Sequence, residues 1–188
     1  SIGNKYWNTN GTNDWTSATL NTYLNNDYYN TLNDDAKNMI GTTKYYLGGY
    51  NNRPNFTSDV MWQYERKNYG ANPIMQNDAN KKIAIMYLSD YGYGVSKECT
   101  GNLDSYNVYA NCKTTNNWLD NSQTEWLLPQ NSDNSVYAFC VDSTGYVTNN
   151  NYVASNKLAV RPVLSLSSNV KISGGEGTSE SPYTLSIS

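Results

Sequence analysis

The chain has 188 residues and a mass of 21.1 kDa, a length that suits one domain over residues 1–188 and buries a real core without obligatory disulfides or metals. It carries 18 Tyr, 5 Trp, about 30 Asn, 15% charged residues and no His, and the missing imidazole excludes Ser-His-Asp triads, Cys-His pairs, His metal ligands and His general bases. A net charge of −3 and a pI near 4.8, with no Lys/Arg cluster, argue against a nucleic-acid partner, because phosphate binding needs a concentrated basic face.

No apolar run approaches the ~20 residues that span a bilayer. No signal peptide precedes Ser1, so the expectation is a mature or trimmed portion of a longer protein. Solubility rests on amides and hydroxyls more than on charge.

Tyr6 and Trp7 suggest a strand remnant before a turn-rich loop. Asn8, Asn10 and Asp14 offer oxygens for Ca²⁺ but lack the full acidic spacing, so a turn is the better reading. Leu20, Tyr23, Leu24, Tyr28 and Leu32 fall at helical spacing after a Thr16 or Ser17 N-cap, with a break at Asn25-Asn26. Asp34 and Asp35 open a second short helix, with Ala36, Met39 and Ile40 on one side, and Gly41 ends it. Thr42 to Leu47 is rich in β-formers, and Gly48-Gly49 punctuates it. Thr57 or Ser58 caps a third helix through Arg66, with Val60, Met61 and Tyr64 inward and Glu65 exposed. Lys82 to Leu88 is apolar on both faces, as a central strand is. It runs into SDYGYG, whose glycines permit φ > 0 and leave Tyr91 and Tyr93 displayed on a loop.

Cys99 and Cys112 flank a polar insertion, and their spacing allows a disulfide worth about 3 kcal/mol in the loop-entropy picture. The rival reading is two thiols in a reducing compartment. Cys140, alternating with Val136 and Ala138, is expected as an unpaired core hydrophobe. Glu125 to Leu128 with Pro129 makes a short strand that holds Trp126 in the core. Val136 to Val141 and Tyr146 to Thr148 form a hairpin through DSTG, with Gly145 at a left-handed position; NNNYVASNK follows as an exposed tip.

In KLAVRPVLSL, Leu158, Val160, Pro162, Leu164 and Leu166 share one side of an extended chain, and Arg161 interrupts the apolar opposite side. Pro162 puts this strand at a bulge or an edge. An inward guanidinium must find a partner, with Asp90, Glu65 or Glu125 as the candidates. GGEGTSESP is a turn-rich piece without the strand-to-helix context of a phosphate loop, and Tyr183 to Ile187 is a short strand. Helices in the first half and strands in the second give an α+β fold with a mainly antiparallel twisted sheet.

The ordered phrases NDW, KIAIMYLSDYGYG, NNWLD, EWLLP, VYAFCVDSTGYV and AVRPVLSL with GGEGTSESPY resemble an uncharacterised domain of bacterial cell-surface and pilin-like proteins. That domain is similar to the C-type-lectin-like fold of formylglycine-generating enzymes and of the variable proteins of diversity-generating retroelements. No cysteines match the reactive pair of the former, and the Glu-Pro-Asn, Gln-Pro-Asp and Trp-Asn-Asp motifs of calcium-dependent lectins are missing. In the retroelement proteins variation sits before the last core strands, and the matching zone here is about 131–156.

The resemblance implies a non-catalytic, extracellular, cell-surface domain without a cofactor, binding a protein or glycan, or other copies of itself in a filament. An oxidase or hydrolase is the least favoured reading. The candidate contacts are Tyr91 and Tyr93; Asn116, Asn117 and Trp118; and Tyr146, Asn149, Asn150, Asn151 and Tyr152 on the hairpin and tip. Each group has a bland counterpart: Tyr91 and Tyr93 packing over the core, Trp118 anchoring a loop, and a solvated Asn-rich tip.

Overall fold

Alternation along two runs, EWLLPQN and YAFCV, decides where the core sits. Successive side chains of a strand point to opposite faces, and in both runs both faces are apolar. Trp126, Leu128, Ala138 and Cys140 enter one buried cluster, while Leu127, Phe139 and Val141 enter a second. A sheet apolar on both sides needs a covering layer on each.

The computed structural model describes residues 1–50, 57–67, 76–95, 98–99, 101–106, 112 and 117–188, with 76–80 and 105 described by their backbone. In chain order the elements are β1 (Asn4–Lys5), α1 (Thr19–Tyr23), α2 (Tyr29–Thr31), α3 (Asp34–Met39), β2 (Thr43–Leu47), β3 (Gly49–Tyr50), α4 (Ser58–Arg66), β4 (Gln76–Lys81), β5 (Ile83–Ile85) and α5 (Leu88–Tyr93). There follow β6 (Glu125–Asn131), β7 (Tyr137–Val141), β8 (Val147–Tyr152), β9 (Leu158–Ala159), β10 (Pro162–Leu164), β11 (Val170–Gly174) and β12 (Thr184–Ile187). The six-stranded sheet runs β1-β9-β6-β7-β8, with β3 also on β6. β3 and β9 are parallel to β6, and the other pairs are antiparallel. Smaller antiparallel pairs join β2 to β4, β5 to β10 and β11 to β12. The architecture is therefore α+β with a mainly antiparallel sheet.

One face is covered by Trp7, Trp15, Leu20 and Leu24 from the N-terminal segment and first helix, the other by Met61 of α4 and Leu88 and Tyr91 of α5. The first helix departs from α geometry where a break was expected: Leu24–Tyr28 is a π-helical turn between α1 and α2. Asn25 supplies the reason. Its Oδ1 accepts the Lys82 and Ile83 N–H groups at 3.0 Å, and its Nδ2 donates to Ile83 O at 2.8 Å, so the widened turn is tied to the start of β5. The cap at this end is Asp14, not Thr16 or Ser17: its carboxylate takes the Thr16 N–H at 2.9 Å and opens a short 3-10 turn.

Several sequence expectations are corrected. The strand begun at Ile83 stops at Ile85, and the expected display loop is helix α5. Its glycines provide room instead of a positive φ: a Cβ on Gly92 would lie 2.1 Å from Ser58 Oγ, and one on Gly94 2.4 Å from Asn117 Oδ1. Glu65, expected outside, is completely buried. The supposed tip begins as strand, since β8 continues to Tyr152, paired opposite Tyr137, and only 153–157 lie beyond it. AVRPVLSL is split between two sheets, with β9 beside β6 and β10 beside β5. Pro162 opens β10, a position that tolerates its missing N–H.

Gly145 has φ +83° in the hairpin turn, as the tight connection requires. Cys99 and Cys112 are disulfide-bonded, and Cys140 is a buried free thiol that burial pushes up to about 12.

Arg161 pairs with the buried carboxylate of Glu125, whose other oxygen accepts Asn121 Nδ2 at 3.0 Å. Burial pushes the Glu125 carboxyl up and Arg161 pulls it back. The abundant Asn residues also have structural work. Asn8 closes its own loop, accepting the Asn10 N–H at 3.1 Å, and Asn13 Nδ2 donates to the carbonyls of Asn131 at 2.9 Å and Tyr137 at 2.7 Å.

Candidate ligand-binding groove

Helix α4 begins with Thr57, whose hydroxyl accepts the Val60 N–H, and ends with two charged residues that organise its neighbour. Helix α5 has no side-chain cap of its own, and a helix start leaves N–H groups that must be satisfied. Glu65 satisfies them from α4. Its Oε1 accepts the Leu88 N–H at 2.9 Å and the Ser89 N–H at 3.2 Å, and its Oε2 is bonded to the Ser89 hydroxyl. Burial pushes the Glu65 carboxyl up to about 8, against the opposing pull of the Ser89 bonds and the Arg66 charge.

Arg66 is the second organiser. Its Nη2 donates to both oxygens of Asp90, at 2.6 and 2.8 Å, and its Nη1 to Ser89 Oγ at 3.2 Å. The guanidinium lies over the Tyr87 ring, 4.0 Å from its centroid. Tyr87 in turn clamps β2, its hydroxyl accepting the Tyr46 N–H and donating to Tyr46 O, both at 2.9 Å. Burial holds the Tyr87 phenol well above its usual range. Asp90 is thus fixed from below, yet its side chain stays 40% exposed.

The C-terminal end of α5 receives the 117–119 segment. Asn117 is buried, with Nδ2 donating to Tyr91 O at 2.9 Å and Oδ1 accepting the Leu119 N–H at 3.0 Å. The backbone N–H of Trp118 donates to Gly94 O at 3.2 Å. These bonds present the Trp118 side chain, which is 79% exposed. Tyr93 is 52% exposed, and its hydroxyl donates to Asp59 Oδ1 at 2.5 Å.

Trp118 and Tyr93, with Met86, Asp90, Leu119 and Val163, line a cavity of about 400 Å³. A second, of about 300 Å³, lies against Lys44, Tyr46, Arg66, Tyr87, Asp90 and Val163. Sharing Asp90 and Val163, the two are neighbouring parts of one groove. Its walls are aromatic and aliphatic, with a few fixed polar groups, the usual make-up of a site for a small ligand or a side chain.

The sequence candidates separate into three groups. Tyr93 and Trp118 come together in the groove. Tyr91 is fully buried in the second core cluster and Asn117 is a structural pin, so neither is presented to a ligand; Asn116 lies outside the described residues. On the β7–β8 ribbon, Tyr152 is exposed and packs edge-on against Tyr137 with centroids 4.7 Å apart. Asn150 is exposed there too, and Tyr146 is half-buried.

Asn149 is buried and its carbonyl accepts Asn131 Nδ2 at 2.9 Å, while Asn151 faces Cys140 Sγ. Asp90, one of the three candidate partners for Arg161, instead pairs with Arg66 and lines both cavities of the groove. Arg66, Met86, Leu119 and Val163 were missed as site residues, because they join it from four separate segments and no local spacing links them.

The family model described as Domain of unknown function (DUF6273) matches residues 2–168, which include all of the groove and leave β11 and β12 outside. No curated protein and no solved structure matches the chain.

Proposed function

The chain belongs to the DUF6273 family, a domain of unknown function, and we propose that it is a non-catalytic ligand-binding domain of an extracellular bacterial surface or pilus-like protein, built on a C-type-lectin-like scaffold. The family phrases around KIAIMYL, EWLLP and AVRPVLSL support the scaffold and the location. The ligand is a protein or glycan met at the cell surface. One observation carries the binding reading: Trp118 and Tyr93, 79% and 52% exposed, stand at one cavity, the first positioned by its backbone bond to Gly94 O and the second by its hydroxyl bond to Asp59, neither of which depends on a ligand. A preorganised aromatic wall lowers the ordering cost of binding. The non-catalytic reading is supported by Glu65, a carboxyl that burial pushes up to about 8, being sealed behind α5.

The test is retention of the purified protein on a printed glycan array and on intact host cells. Trp118→Ala and Tyr93→Ala should each lower retention about tenfold, as truncating an aromatic anchor does, with unchanged melting temperature. Wild-type retention by both variants removes the groove from the binding reading.

A second reading has its own observation. Tyr152, Ile172, Tyr183 and Ile187 are exposed apolar side chains on the β7–β8 and β11–β12 hairpins, which suits a filament subunit packing against its own copies. Electron microscopy of native material decides it: ordered filaments with these side chains buried between subunits favour assembly as the main role.

A further inference from the structure

We infer that the groove takes the ammonium group of a lysine side chain on a polypeptide, seated against Trp118 and Tyr93 with Asp90 as its counter-ion. This rests on the binding reading above and names the chemistry of the ligand. Asp90 borders both halves of the groove, and in one half a cation is already held by the elements proposed for the other. There the Arg66 guanidinium lies over Tyr87 at 4.0 Å and bonds both Asp90 oxygens. In the other half Asp90 meets Trp118 and Tyr93, and among the described residues no cationic side chain lines that cavity.

Each carboxylate oxygen accepts more than one hydrogen bond, so Arg66 leaves capacity on Asp90, whose side chain is 40% exposed. Trp is the strongest ring partner for a cation. Asp59 does not line the cavity, but it accepts the Tyr93 hydroxyl and so holds a second carboxylate beside that ring.

The groove is polar along its length in the sense that orients such a ligand. Lys44 and Arg66 line the other half, Arg66 against Asp90 itself, so an incoming ammonium is directed to the Trp118 side of that carboxylate. Met86, Leu119 and Val163 offer apolar surface for the methylene stem, the part of lysine that packs on hydrocarbon while its head stays charged. A neutral sugar uses the rings and donates its hydroxyls to a carboxylate, but lacks the charge attraction that salt screens.

The experiment titrates the intact protein with acetyl-Gly-Lys-Gly amide, followed by the indole N–H resonance of Trp118, assigned by its loss in Trp118→Phe. The norleucine and acetyl-lysine counterparts serve as neutral controls. The lysine peptide should bind about tenfold more tightly than either, and raising salt from about 20 mM to about 500 mM should weaken it several-fold. Asp90→Asn should abolish the preference. Because that change also unpairs Arg66, Asp59→Asn on the exposed rim is the companion variant, with a loss of about twofold to threefold.

Equal binding of the norleucine peptide, or no response to the lysine peptide, overturns the inference. If glycan or cell retention still depends on Trp118 in that case, only the ligand class is wrong. If retention survives Trp118→Ala, the groove reading falls with it.

Discussion

Glu65 makes stability depend on pH in a direction opposite to that of a salt-bridged acid. Its carboxyl is raised from 4.5 to about 8, with burial as the main cause. Between those values the unfolded chain has lost the proton that the folded chain keeps, so unfolding free energy falls as pH rises, and the loss is complete above about pH 8. At about 1.36 kcal/mol per pKa unit the full shift corresponds to roughly 5 kcal/mol, an upper bound, comparable with the whole stability of a marginal domain. The Leu88 and Ser89 N–H groups and the Ser89 hydroxyl oppose the shift, because bonds donated to the carboxylate favour its ionised form.

Glu65→Gln keeps an acceptor oxygen for the two N–H groups and removes the titration. Urea denaturation at about pH 5, 6.5 and 8.5 should show the wild type losing a few kcal/mol more than the variant across the range. The raised Glu125 carboxyl titrates in both proteins and cancels in the difference. Parallel pH profiles for the two proteins would refute the buried, protonated carboxyl.

Arg161→Met should cost about 3 kcal/mol in denaturant melts, because it strands the Glu125 carboxylate; adding Glu125→Gln should recover much of it, whereas an unchanged melting temperature for the single variant argues against the pair. Replacing Cys99 and Cys112 with Ser should destabilise by about 3 kcal/mol, read by the same melts, with the variant insensitive to reductant. Gly92→Ala should cost about 1–3 kcal/mol, because its Cβ would lie 2.1 Å from Ser58 Oγ and 2.8 Å from Leu103 Cδ2; a neutral result in thermal melts would mean that α4 and α5 separate more easily than their packing indicates.

What the sequence determined by itself was local or periodic. The runs Glu125 to Leu128 and Val136 to Val141 placed two strands with Trp126 and Cys140 in the core, the Leu20–Leu24 spacing placed the first helix, and DSTG placed a hairpin turn, because side-chain direction follows from backbone geometry alone. The Cys99–Cys112 pairing was legible from a short separation, which lets a disulfide close a small loop. Tertiary structure decided the rest. Glu65 looked like the polar face of a helix, but α5 needed a cap from outside and drew it inward. Arg161 had three carboxylates to choose from, and the pairing of β9 with β6 at Glu125 opposite Ala159 selected one.

The pairing of β10 with β5 carried the rest of AVRPVLSL into a second sheet and brought Val163 to Asp90, Trp118 and Tyr93. A groove assembled from segments so far apart leaves no spacing to read. Its geometry depends on which elements pack together, and that is settled by burial over the whole chain.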